Sequence, residues 1–174
     1  MPGNTEYIFL QGKGSWIRPH QVNPWGKWSM VLYPDAKSLE KLRELQAEGV
    51  KNSISKDDDG WYVRLSRPTE LKVNGKLIGL RPPEVFDATK PLPDGGYMPL
   101  KDTPIGNGSD VTVKMEVYQH RVPSGPDGKP KYAKAMRWNS LLVENLVPFQ
   151  SRKEFTEDEL KAVRGFEEQP KQLF

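Results

Sequence analysis

Apolar and polar residues alternate through much of this chain, the period-two pattern of half-buried strands. The pattern is brief at Tyr7 to Leu10 and at Ser15 to Arg18, and clear from Gly26 to Tyr33, where Trp28, Met30 and Leu32 share one face expected in the core. Pro34 and Asp35 close that strand, and Leu39, Leu42 and Leu45 follow at helical spacing before Gly49, a left-handed helix stop. Asp57, Asp58, Asp59 and Gly60 make a turn into a strand where Trp61, Val63 and Leu65 alternate with Tyr62, Arg64 and Ser66. The first set, Trp61 included, is expected in the core and the second on a basic, aromatic outer face. Asn74 and Gly75 predict a tight type I′ hairpin between Leu71–Val73 and Leu77–Leu80.

Arg81 to Thr103 carries Pro82, Pro83, Pro91, Pro93 and Pro99 and is predicted to be mostly irregular, a functional loop with a short strand around Val85 and Phe86. Asp110 to His120 is the strongest strand: Val111, Val113, Met115 and Val117 face one way, and Thr112, Lys114, Glu116, Tyr118 and His120 the other. The loop SGPDGKP leads to a return strand from Lys131 to about Val147. Five or six antiparallel strands with one intervening helix predict a barrel or strongly curved sheet, because closure removes free edges. Phe155, Thr156, Glu159 and Leu160 fit a hydrophobic staple around a capping box, with Gly165 as a stop, so a short helix is expected near the C-terminus.

Composition supports this reading. Fifteen glycines and sixteen prolines among 174 residues favour turns and short strands, and a mean hydropathy of −0.71 fits a soluble protein. No apolar run is long enough to span a membrane, no secretory leader is evident and there are no cysteines, so a reducing cytoplasmic setting is expected. The net charge is +3. From Ser151 onward five basic residues face six acidic ones, so the surplus positive charge lies in the preceding body.

Enzymatic chemistry has little to work with. The absence of cysteine removes the usual Cys/His zinc site, and the two histidines, His20 and His120, are far apart in sequence. GKGS at 12–15 and GNGSD at 106–110 match neither the phosphate-binding loop nor the dinucleotide fingerprint. Asp57 to Asp59 could in principle hold metals for a nuclease, but a triplet before glycine is the ordinary composition of a hairpin tip. No catalytic role, cofactor or metal is expected. What the outer strand faces do carry is aromatic rings interleaved with cations, which single-stranded nucleic acid uses for base stacking and phosphate contact. Lys114, Tyr118 and His120 form one such set, Tyr62 and Arg64 a second, and Lys131, Lys134, Arg137 and Trp138 a third. Bases are expected on Tyr118, Tyr62 and Trp138, and phosphates on Lys114, Arg64, Lys134 and Arg137. A non-enzymatic structural or interaction protein of a virion is the alternative reading.

Three segments, GKWSMVLYP (26–34) before a helix, PIGNGSDVTVKMEVY (104–118) and SLLVENLVPF (140–149), resemble the OB-fold single-stranded-DNA-binding proteins of tailed bacteriophages. The likeness runs from about Val22 to Phe149. It implies a mainly β, OB-fold-like antiparallel barrel over residues 1–150, followed by a C-terminal helix and tail over 151–174. The implied function is sequence-tolerant protection of single strands during phage replication and recombination, in the cytoplasm of an infected bacterial cell, with Tyr118 at a base-stacking position. Such proteins end in an acidic, aromatic-terminated tail that competes for the DNA groove and recruits replication proteins. This chain ends in Phe174 and carries Glu167 and Glu168, but departs from that pattern at Lys171. Single-stranded DNA is thus the expected partner, with phage or host replication proteins reached through the tail and no membrane.

Overall fold

The computed structural model describes residues 5–101 and 103–148, so the C-terminal helix and tail expected over 151–174 lie outside the described residues. Within them the chain runs β1 (Glu6–Arg18), β2 (Lys27–Pro34), α1 (Ala36–Ala47), β3 (Ile54–Asp57), β4 (Gly60–Pro68), β5 (Glu70–Val73), β6 (Lys76–Gly79), β7 (Glu84–Pro91), β8 (Tyr97–Pro99), β9 (Ser109–Val122) and β10 (Lys131–Asn145). Eight strands form one curved sheet in the order β3-β4-β2-β1-β9-β10-β7-β8, and β5 and β6 form a separate hairpin.

The two short stretches of alternation near the N-terminus are one strand, β1, which pairs with β2 through its second half and with β9 through its first. Where β2 ends, α1 takes over the free edge of β1. Gln11 N donates to Ser38 Oγ at 2.8 Å, Asp35 N to Gln11 O at 2.8 Å and Lys41 Nζ to Phe9 O at 3.1 Å. These bonds satisfy an edge that would otherwise offer unpaired backbone groups. Asp35 caps the helix by accepting from Ser38 N at 2.8 Å, and Gly49 follows at φ +92°.

Strands β4 and β10 meet where the sheet curls round. Arg67 bridges this seam, donating through one terminal nitrogen to Trp138 O at 3.3 Å and through Nε to Arg81 O at 2.7 Å. The enclosed core takes the expected faces: Trp28, Met30 and Leu32 of β2, Val63 and Leu65 of β4, and Val111, Val113 and Met115 of β9 are all buried. Leu42 of α1 joins them.

Two expectations need correction. The proline-rich segment is not a loose loop: β7 pairs in parallel with β10, from Glu84 opposite Ser140 to Asp87 opposite Val143, and β8 pairs back on β7. The barrel is therefore mixed rather than wholly antiparallel. Prolines are tolerated because Pro91 ends β7 and Pro99 lies in β8, the edge strand, where a missing N–H breaks no interior ladder. Trp61 is the second correction. It alternates with Val63 and Leu65 but sits at the start of β4, beyond the core, 40% exposed under the guanidinium of Arg43 at 5.3 Å and the ammonium of Lys56 at 5.4 Å. The Asn74–Gly75 turn has φ of +51° and +78°, as a type I′ hairpin requires.

Candidate nucleic-acid interface

β9 is the axis of the site. Its inward valines and Met115 anchor it in the core, so Lys114, Glu116, Tyr118 and His120 line the outer face. β1 runs beside it with Phe9 opposite Lys114 and Tyr7 opposite Glu116, and on the other flank β10 places Arg137 opposite Glu116 and Ala135 opposite Tyr118. Tyr7 and Phe9 are each about half exposed. The Lys114 ammonium lies 4.3 Å from the Tyr7 ring centroid, and the Arg137 guanidinium 4.4 Å from that of Tyr118. The His120 ring stands 6.1 Å from Tyr118 at 49°. Aromatic and cationic groups thus alternate over roughly 20 Å of β9, at about 3.4 Å per residue. Small side chains, Ala133 and Ala135, border the Tyr118 end and leave its surface open.

Glu116 is the one carboxylate within this stripe, and it is buried. Arg137 Nε and Asn139 Nδ2 both donate to it, and Arg67 lies 3.8 Å away. Burial pushes its pKa up, but the bonds from Arg137 and Asn139 and the charges of Arg137 and Arg67 outweigh that and hold it below the usual carboxylate range. Burial lowers the pKa of Arg67, opposed by the charge of Glu116. Two guanidinium groups share one carboxylate, so the cluster keeps a net positive charge beside Tyr118.

The residues expected to bind nucleic acid do not all gather here. Lys114, Tyr118, His120, Lys131 and Arg137 share the outer face by register. Lys134 pairs with Gln119 on the opposite face, the one carrying Met136 and Val117 toward α1. Trp138 is fully buried and its Nε1 donates to Ser140 O at 3.1 Å, so it offers no ring for a base. A bulge between Trp138 and Ser140 shifts the register, which is why both faces of this strand looked apolar in sequence.

Tyr62 and Arg64 lie elsewhere. Through Tyr33 of β2 and Lys13 of β1, the row of Tyr62 meets β9 near Asp110, eight residues before Tyr118. The Tyr62 ring packs 5.8 Å from Tyr33, whose hydroxyl donates to Asp57 Oδ2 at 2.7 Å and is pushed up to about 12 by that bond. Asp57 Oδ1 accepts from Asp59 N at 2.8 Å, so the acidic triplet is organised as a turn. Among the described residues no group of three or more His, Asp or Glu side chains could hold a metal ion. This acidic tip beside Tyr62 makes the second set a poor phosphate site. Arg64 instead lines a cavity of about 740 Å³ together with Met115, Met136 and Asn52.

Sequence reading passed over Tyr7 and Phe9, which complete the stripe. Their signal was present: both alternate with Ile8 and Leu10, and Leu10 is fully buried.

No protein-family model matches the sequence, and no curated protein does. Among solved structures, gp2.5, a single-stranded DNA binding protein encoded by bacteriophage T7, superposes with a TM-score of 0.51 over 91% of this chain and 94% of that chain, at 13% identity. The chain has the OB-like fold of that protein. The single-stranded DNA-binding protein from bacteriophage Enc34 gives a TM-score of 0.49 at 12% identity, covering 89% of each chain. Its complex with ssDNA gives 0.47 at 13% identity, over 83% of this chain and 89% of that one.

Proposed function

We propose that this protein binds single-stranded DNA without strong sequence preference, across the outer face formed by β1, β9 and β10. The observation that carries this reading is the stripe of half-exposed rings and cations from Phe9 and Tyr7 through Lys114 to Tyr118 and His120. Every base has a flat face that can lie on an aromatic ring, so stacking tolerates any sequence, and only unpaired bases are free to do it. Lys114, Lys131 and the Arg137 cluster supply charge for phosphates. The fold shared with a phage protein that binds single strands agrees with this assignment. Protection of single strands during phage replication and recombination inside an infected bacterial cell, and recruitment of replication proteins through the segment ending at Phe174, belong to the same proposal. Binding alone is proposed, with no catalytic step.

One feature favours interaction with a protein instead. The β5–β6 hairpin stands outside the main sheet with Leu77 and Ile78 exposed.

The two readings separate in one experiment, anisotropy of a labelled oligo-dT strand and of a duplex of equal length, each at low and high salt. Preferential binding of the strand, weakened by salt with a slope of about 0.7 per phosphate contact, is the expected result. Absence of binding to either, or equal binding to the duplex, would overturn it.

A further inference from the structure

At the far end of β1 from Phe9, a bulge sets Trp16 on the surface. Ser15 pairs with Val31 and Arg18 with Ser29, so β1 holds one residue more than β2 between these pairs. Trp16 adopts φ +50°, a left-handed conformation disfavoured for side chains with a Cβ, yet the residue is 58% exposed. Ile17, the next residue, makes the core contact instead. Neither packing nor backbone preference accounts for a tryptophan here. Asn107 fixes it, its Oδ1 accepting from Trp16 N at 2.9 Å.

Beside the ring opens a cavity of about 390 Å³ lined by Arg18, His20, Gln21, Pro104 and Asn107 as well as Trp16. The Arg18 guanidinium lies 5.8 Å from the Trp16 ring centroid and donates to Gln21 Oε1 at 3.3 Å. No carboxylate is among the described lining residues. A flat exposed ring on a tethered backbone, a guanidinium beside it and amide side chains at the wall match a nucleotide: base on the indole, phosphate on Arg18.

We propose that this cavity is a second nucleotide subsite, which takes an unpaired base of the same strand that crosses the β1–β9–β10 face. Phe9 and Trp16 are seven residues apart, roughly 24 Å at about 3.4 Å per residue, so a short strand reaches one site and a longer one both. The inference rests on the single-strand reading above.

The test compares a dT tetramer with a dT hexadecamer, about the limits of what single OB folds occupy, on the full chain, Trp16→Asn, Arg18→Ala and Tyr118→Ala. Asparagine tolerates the left-handed backbone, so Trp16→Asn removes the ring without adding backbone strain. It should bind the hexadecamer at least about fivefold more weakly and leave tetramer affinity within about twofold. Arg18→Ala should lower the salt slope on the hexadecamer by about 0.7. Unchanged hexadecamer affinity in Trp16→Asn while Tyr118→Ala still weakens it would overturn the second subsite and leave the main face standing. Equal losses on both lengths would overturn it too, by making Trp16 part of one site. A proline-rich peptide that binds the full chain but not Trp16→Asn, with DNA affinity unaltered, would assign the cavity to a protein partner. Failure of the unaltered protein to bind the hexadecamer would instead remove the reading on which the subsite rests.

Discussion

Tyr118 and Trp138 show how burial separates two aromatic residues that look alike in sequence. Tyr118 lies half-exposed under Arg137, whereas Trp138 is sealed in the core against Leu141 and Val143. Tyr118→Ala should weaken oligo-dT binding by about 1–3 kcal/mol and leave the thermal melt unchanged. Trp138→Ala should cost about 3–5 kcal/mol of stability, read from urea unfolding, because it empties a large core volume. Glu116 acts on stability in a different way. Its folded pKa lies below its ordinary value of 4.5, so the unfolded chain binds the proton more tightly. Its stabilisation is complete above the unfolded value and is lost as pH falls through the lower, folded one. Glu116→Gln should therefore flatten the fall in melting temperature below about pH 4.5 and lower stability at neutral pH.

Elements were legible where one face is buried and the other wet. β2, β4 and β9 announce themselves by alternation, α1 by its leucines and the β5–β6 turn by Asn74–Gly75. β3 was not, because Ile54 is its only apolar residue and pairing with β4 is what makes it a strand. β7 was legible only as a short strand around Val85 and Phe86; its full length and its partner were not, because β10 lies more than fifty residues on and pairs in parallel, which leaves no local turn signal. In the PIGNGSD segment Gly108 takes φ +90°, the left-handed region that favours glycine. Gly106 is there for a different reason. A Cβ on it would lie 2.5 Å from the carbonyl oxygens of both Val147 and Pro148, where its own N–H donates to Val147 O at 2.7 Å. Gly106→Ala should push these two segments apart and lower the melting temperature by several degrees, whereas Gly75→Asn, which keeps a residue tolerant of positive φ, should not.

For the molecule as a whole, the sequence indicated a β-barrel with basic, aromatic outer strands, but not which sets of residues would share a face. That depends on strand order and on two bulges, at Ser15/Arg18 and Trp138/Ser140, neither of which follows from periodicity. The resulting surface concentrates rings and cations on β1, β9 and β10 and leaves the acidic Asp57–Asp59 tip at the β3–β4 turn, beside Tyr62. The most direct test of this arrangement is binding of labelled oligo-dT by the double variant Tyr7→Ala/Tyr118→Ala, with its melting temperature recorded alongside. A loss of at least about 2 kcal/mol in binding, roughly 30-fold, at an unaltered melting temperature is the predicted result. Affinity equal to that of the unaltered protein would contradict the assignment of this face to single-stranded DNA.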